Sequence, residues 1–320
     1  MKAARYTRFG PPEVIEVAEV APPVAAANEV IVEVHASTVT SAEAAMRRGR
    51  PLWGRVILGL FRPRRRMQVL GIEVAGIVSS VGRDVTRFRV GDEVFGFAGF
   101  DIGTNAELFR IREQGSLALK PLGLSFEEAA ACVDGPTTAL FFLRDKAQIR
   151  PGERVLVIGA SGSIGTYAVQ LARHFGAEVA GVCSTRNVEL VRSLGAHDVF
   201  DYTREDFTAS GRTWDVVFDT VGKSSFRKCR KVLGLGGRFV ATTGLLNYAL
   251  SLWTSLWGGR RVLTGMSVDK REALPFIGSL VESGQLQIVV DRRYTLDEIV
   301  QAHRYVDSGR KRGNVVVSVR

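Results

Sequence analysis

At 320 residues, 46% apolar and 24% charged, the chain has enough apolar mass for two cores and enough charge to coat them, which excludes a disordered chain and argues against a single ordinary domain. The net charge of +10 favours anionic partners, whether phosphorylated cofactors, nucleic acid or acidic membrane surfaces, and does not choose among them. Three scattered cysteines, Cys132, Cys183 and Cys229, argue against a disulfide framework or a cysteine-rich zinc lobe and read as reduced thiols.

The N-terminal MKAARYTRFGPPEV carries positive charge with no apolar run behind it, so neither a secretory signal nor a transit peptide is indicated and the expected location is the cytoplasm. Residues 1 to about 122 alternate short β-rich runs (EVIVEVHAS, EVAGIVSSVG, GDEVFGF) with Gly and Pro turns, the pattern of a partly closed β domain. Within them the basic run Arg62, Arg64, Arg65 and Arg66 has no aromatic ladder beside it to stack bases, so nucleic acid is the weaker partner and a solvated loop the plainer reading. From about residue 123, SFEEAAACVDGPTTALFFLRDKA reads as a pair of helices, with Ser125 as N-cap and Glu128 completing a capping box that opens a second domain. Strand and helix then alternate through RVLVIGA, SIGTYAVQLARHFG, EVAGVCS, NVELVRSLG, HDVFDY, WDVVFDTVG and GRFVATTG, which predicts a doubly wound parallel sheet. Phe239 to Trp257 runs without a formal charge, yet its hydroxyl-bearing residues and its place in the βαβ series argue against a membrane span. The chain ends in GNVVVSVR, a strand that needs a sheet and is expected to return to the first domain. The stretches LWGRVILGLFRPRRR and YALSLWTSLWGGRRV join apolar residues to Arg clusters; mobile walls of a wide apolar cleft are the preferred reading and membrane contact the second.

The strongest chemical signal is RVLVIGASGSIGTYAVQLA, a strand running into a glycine-rich turn and then a helix. Ala160, Gly162 and Gly165 occupy the G-x-G-x-x-G positions, Ala160 in place of the first glycine. Gly162 then lets backbone approach a pyrophosphate, Gly165 permits close helix packing, and the helix start over Ser163 and Ile164, preceded by Ser161, offers free N–H groups to phosphate. An NAD site wants a carboxylate at the end of the second strand. Here EVAGVCS ends at Ser184, followed by Thr185 and Arg186, with no acidic side chain at the strand end to repel a phosphate. Charge-assisted hydrogen bonds of about 1.5 to 3 kcal/mol from Ser184 and Arg186 would favour NADPH roughly 10- to 100-fold. Tyr202, after the third strand, is expected to line the adenine side, with Arg204 adding charge, and Thr220, after the fourth, is counted with the cofactor residues.

Several of these segments together, MKAARYTRFGPPEVIEVAEV, GIEVAGIVSSVGRDVTRFRVGDEVFG, GASGSIG, ELVRSLGAHDVFDY and GRKRGNVVV, resemble the zinc-free medium-chain dehydrogenase/reductases related to quinone oxidoreductase and zeta-crystallin, over nearly the whole chain. The resemblance implies an α/β chain with a GroES-like, partly closed β-barrel catalytic domain over 1–122, completed by 267–320, and a Rossmann NADPH-binding domain over 123–266. A cleft between them and a homodimer are also implied. Where zinc-dependent relatives have a His, this chain has Ile72, between Gly71 and Glu73, and Thr40 stands near the place of a missing Cys. Glu73 alone cannot hold a zinc, which needs about three protein ligands. Quinone-reductase-like members show Asn and Asp where this chain has Thr40 and Glu43, Thr138 matches a threonine near the nicotinamide, and Asn314 replaces a lysine.

Without a metal or an evident base, the expected chemistry is hydride transfer from NADPH to an already electrophilic acceptor, a quinone first and an activated alkene second, with Thr40, water or another hydroxyl relaying a proton. Thr40, Glu43 and Thr138 are the candidate catalytic residues. A non-catalytic NADPH-binding or membrane-surface protein is a further alternative. Homodimerisation is expected through the strand-like Val262 to Met266 as a free sheet edge.

Overall fold

The computed structural model of the chain describes residues 1–257 and 259–320, which divide into two compact units. The first comprises Met1–Asp134, Val268–Glu282 and Val290–Arg320, and the second Gly135–Ser267 and Ser283–Val289.

In the first unit a hairpin of β1 (Lys2–Tyr6) and β2 (Ile15–Glu19) accompanies a seven-stranded sheet. Its strands are β3 (Glu29–Thr38), β4 (Glu73–Val81), β5 (Glu93–Phe97), β6 (Leu108–Arg112), β7 (Ser116–Leu119), β14 (Val290–Thr295) and β15 (Asn314–Ser318). The order is β14-β15-β3-β4-β5-β7, with β6 also on β3, and all pairings are antiparallel except β14 with β15. The long β3 makes this possible, because its first half pairs with β6 and its last residues, Ala36 to Thr38, with β15. Period-2 alternation places Val30, Val32 and Val34 of β3 in one apolar core with Val74, Val78, Val94 and Phe109. Helices α1 (Ser41–Arg47), α2 (Arg55–Leu58), α3 (Phe126–Ala131), α9 (Ala273–Glu282) and α10 (Ile299–Asp307) complete this unit.

The second unit is a six-stranded parallel sheet of β8 (Arg154–Ile158), β9 (Glu178–Cys183), β10 (Asp198–Asp201), β11 (Trp214–Asp219), β12 (Leu233–Ala241) and β13 (Arg261–Thr264). The order β10-β9-β8-β11-β12-β13 is that of a doubly wound dinucleotide fold, with its switch point between β8 and β11. Helices α5 (Ser163–His174), α6 (Val188–Ser193), α7 (Phe226–Cys229) and α8 (Leu245–Trp257) belong here, and α4 (Asp134–Leu140) begins at the division and continues as a wider π-type turn over Phe141–Lys146. Strands buried on both faces carry unbroken apolar runs such as Val155, Leu156, Val157 and Ile158.

The boundary differs from the expected one. The capping box of Ser125 and Glu128 is present, but the α3 it starts packs on β3, β4 and β15 instead of opening the second unit. Phe126 stacks on His35 at 4.3 Å, and Glu127 accepts from Ser318 Oγ at 2.6 Å and pairs with Arg293. Residues 283–289 join the second unit because the buried Gln170 of α5 holds Gln287 by both its backbone N–H and C=O, at 2.7 and 3.0 Å. No described helix is long and apolar enough to cross a membrane; the charge-free stretch is the end of β12 followed by α8.

Candidate functional site

In the second unit the chain leaves β8 through Gly159, whose φ of +78° only glycine adopts freely, and whose added Cβ would lie 2.6 Å from Val221 Cγ1. The tight turn is therefore made by Gly159, and Ala160, expected to replace the turn glycine, instead sits fully buried with its N–H on Val182 O at 3.1 Å. Gly165 also has an internal reason, since a Cβ there would meet Gly159 O at 2.1 Å and push α5 off the turn. Gly162 has none. It is the N-cap of α5 in extended backbone (φ −81°), and a Cβ would meet no protein atom closer than Gly159 O at 3.4 Å. Gly162 brings no capping side chain, so the first turn of this 12-residue helix ends in backbone N–H groups at its positive end.

The turn after β9 is stapled to this loop by Asn187, whose Nδ2 donates to Ser161 Oγ at 2.9 Å and Ser184 Oγ at 3.2 Å. Asn187 Oδ1 is buried and has no donor among the described residues. Sequence reasoning missed this residue, although its place three after Ser184 suits a side chain that bridges adjacent loops. Arg186 is exposed within the 3-10 turn Thr185–Asn187, beside Ser184. Contrary to expectation, a carboxylate does reach the end of β9. Asp201, at the end of the neighbouring β10, accepts from Thr185 Oγ1 at 2.6 Å, from Thr203 Oγ1 at 2.8 Å and from Thr203 N at 3.0 Å, with Arg204 Nε at 3.5 Å. The hydroxyl of Thr185, followed by Thr203 and Arg204, holds this carboxyl below the usual range. A cavity of about 370 Å³ opens beside Thr185 and Asp201, flanked by Arg192 and Arg204. Tyr202 is 63% exposed there. Thr220 Oγ1 donates to Ile158 O at 2.9 Å and so braces β11 against β8 at the switch point. Thr138 is nearly buried within α4.

In the first unit Thr40 and Glu43 turn out to be the two halves of the α1 capping box: Glu43 N donates to Thr40 Oγ1 at 3.1 Å and Thr40 N to Glu43 Oε2 at 3.2 Å. Glu43 is fully buried, takes Asn105 Nδ2 at 2.7 Å, and is pushed up to about 8 chiefly by burial. A side chain so enclosed does not offer the polar cleft contact expected of it.

Glu73 is the residue whose surroundings the sequence did not reveal. It accepts from the Thr38 hydroxyl on Oε2 and from Asp134 N at 2.6 Å on Oε1. Asp134 in turn pairs at 2.7 Å with Lys270, a fully buried ammonium that lies 4.6 Å over the Phe97 ring. Burial, then the charge of Asp134, pushes Glu73 up to about 7. Ile72 is buried in an apolar cluster with Leu58, Met67 and Ile102. Among the described residues no three His, Cys, Asp or Glu side chains gather as a metal cage.

Two known families match parts of the chain. The family described as alcohol dehydrogenase GroES-like domain matches residues 26–121, and that described as zinc-binding dehydrogenase matches residues 194–317. The chain is 34% identical to 2-methylene-furan-3-one reductase of Solanum lycopersicum, covering 99% of this chain and 79% of that protein. Among solved structures, the quinone oxidoreductase from Coxiella burnetii superposes with a TM-score of 0.91 at 30% identity, covering 100% of this chain and 99% of that one. The Escherichia coli quinone oxidoreductase complexed with NADPH gives 0.85 at 26% identity over 100% of both chains.

Proposed function

Because the chain belongs to the medium-chain dehydrogenase/reductase superfamily, in its quinone oxidoreductase-like branch, we propose that it passes a hydride from NADPH to a quinone or a similar electrophilic acceptor, without zinc. Membership makes it an NAD(P)H-dependent oxidoreductase; the phosphate, the acceptor and the metal-free chemistry are our reading.

The observation that carries the cofactor assignment is Gly162. Nothing among the described residues needs a glycine there, so the missing side chain is best explained by a ligand that approaches the backbone. The α5 N-terminus would hold the pyrophosphate through N–H groups, and Ser184 with Arg186 would hold a 2'-phosphate. Asp201 does not oppose that phosphate as a bare charge, because its oxygens are engaged by Thr185, Thr203 and Arg204. The unpartnered Asn187 Oδ1 is an acceptor suited to a ribose hydroxyl. Bound nicotinamide supplies the hydride, and the acceptor takes a proton as well. The Thr40 hydroxyl accepts from Glu43 N and keeps its own hydrogen, so it can relay that proton, and we place Thr138 beside the nicotinamide on the strength of the resemblance.

Zinc is disfavoured by the donor set itself. Ile72 has no lone pair, Thr40 caps α1, and both oxygens of Glu73 accept hydrogen bonds from Thr38 and Asp134, which leaves fewer than the three ligands a catalytic zinc takes. The 34% identity to 2-methylene-furan-3-one reductase favours activated alkenes as a second acceptor class. Oxidation of NADPH with 1,4-naphthoquinone, an alkenal and a crotonyl thioester, compared side by side, tests the acceptor. The fastest turnover is expected with the quinone; turnover confined to the alkenal or thioester would replace the first reading with the second. Elemental analysis is expected to find no stoichiometric zinc, and one zinc per chain with loss of activity on chelation would overturn that part.

A further inference from the structure

Between Glu43 and Glu73 the chain contains eight arginines and no acidic residue. Two of them, Arg47 and Arg48, share the single carboxylate of Asp307. The other six, Arg50, Arg55, Arg62, Arg64, Arg65 and Arg66, form no ion pair among the described residues. In the same stretch Leu52, Trp53, Val56, Ile57, Leu60 and Phe61 are all exposed, Val56 at 65%, Leu52 at 67% and Phe61 at 91%. Single exposed apolar side chains are ordinary; six within ten residues are not.

The segment is held, not frayed. Leu58 and Met67 anchor it from below on Ile72 and Ile102. Arg64 N donates to Leu58 O at 2.8 Å and Arg64 Nη2 to Val56 O at 2.9 Å. Gly59 turns the chain at φ +124°, where a Cβ would fall 2.0 Å from Arg62 O. Aromatic and aliphatic side chains presented outward on a built turn, ringed by unpaired guanidinium groups, match the requirements of a lipid interface: apolar groups for the acyl boundary and cations for anionic headgroups.

We propose that residues 50–66 form a docking surface for an anionic lipid bilayer, with Trp53, Leu60 and Phe61 entering the interface and Arg62, Arg65 and Arg66 meeting the phosphates. The protein stays peripheral, since α2 and its neighbouring turns are far shorter than a bilayer is thick.

Co-sedimentation of the full chain at low salt, with vesicles of equimolar phosphatidylglycerol and phosphatidylcholine and with phosphatidylcholine alone, tests this. Binding is expected only to the anionic vesicles and is expected to fall as salt rises. The neutral pair Trp53→Ala, Phe61→Ser and the charge pair Arg65→Glu, Arg66→Glu are each expected to weaken binding about ten-fold. The pair Arg227→Glu, Arg230→Glu makes the same change in net charge on exposed sites of the other unit and is expected to bind within about two-fold of the parent chain. Failure of the parent chain to sediment overturns the proposal. Equal losses in both charge pairs assign the binding to the overall +10 charge and overturn it too. So does loss on Leu252→Asp of the exposed α8 with full binding by both segment variants. A fall in solution mass for the Phe61 variant, without vesicle binding by the parent, gives the face to a second copy of the chain instead.

Discussion

In the proposed cofactor site, Arg186 is the residue on which cofactor choice is expected to turn. Arg186→Ala is expected to weaken NADPH roughly 10- to 100-fold and to leave NADH nearly unchanged, as dissociation constants for each cofactor on parent and variant will report; equal weakening of both would reduce Arg186 to a helix-start residue. Glu43 carries a pH signature. Its folded pKa of about 8 lies above the ordinary carboxylate value near 4.3, so across that window the unfolded chain gives up a proton that the folded chain keeps. Stability contributed by this group is therefore full below the lower value, falls as pH rises, and levels off above about 8. Denaturant midpoints from about pH 5 to about pH 9 are expected to fall for the parent and to fall less for Glu43→Gln, which mimics the protonated acid; parallel curves would remove Glu43 as the cause. Glu73→Ala is expected to cost about 1 to 3 kcal/mol in denaturant unfolding, because it removes the acceptor of the Thr38 hydroxyl and of the Asp134 N–H. At this scale the glycine loop was legible in the sequence, since spacing alone marks the strand-turn-helix. Which glycine turns was not: positive φ at Gly159 rather than a substitution at Ala160 is a property of the backbone, not of the motif. Asp201 was hidden because it reaches Thr185 across the sheet, and strand adjacency is not written in linear order.

Elements were read best where a local signal fixes them. Ser125 with Glu128 announces a helix start, and unbroken apolar runs announce the parallel strands. Thr40 with Glu43 carries the same S/T-x-x-E signal, yet the family pattern drew attention to substrate contact at the expense of the cap. Thr40→Ala is expected to lower stability by about 1 kcal/mol through the lost cap, a melting-temperature change that a purely substrate-contacting threonine would not produce. What a helix packs against is set by distant partners. Nothing within α3 shows that Phe126 and Glu127 will meet His35, Arg293 and Ser318, so the unit boundary, placed after residue 122, moved to follow Asp134. Among the described residues β13 lies at the edge of its sheet, paired with β12 alone. A dimeric mass by light scattering is expected, with Val262 to Met266 continuing the sheet across two copies; a monomer at micromolar concentration would count against it.

For the whole molecule, the sheet order, the uncapped N-terminus of α5 and the side-chain-free approach at Gly162 converge on one phosphate-bearing cofactor, and the positive net charge favours its approach. The central claim is that this cofactor is NADPH and that its hydride leaves without help from zinc. The most direct measurement is kcat/KM for NADPH and for NADH with saturating 1,4-naphthoquinone, on enzyme exhaustively treated with chelator. Full activity and a preference for NADPH of at least about ten-fold are expected. Equal use of the two cofactors, or activity that returns only on adding zinc, would contradict the account.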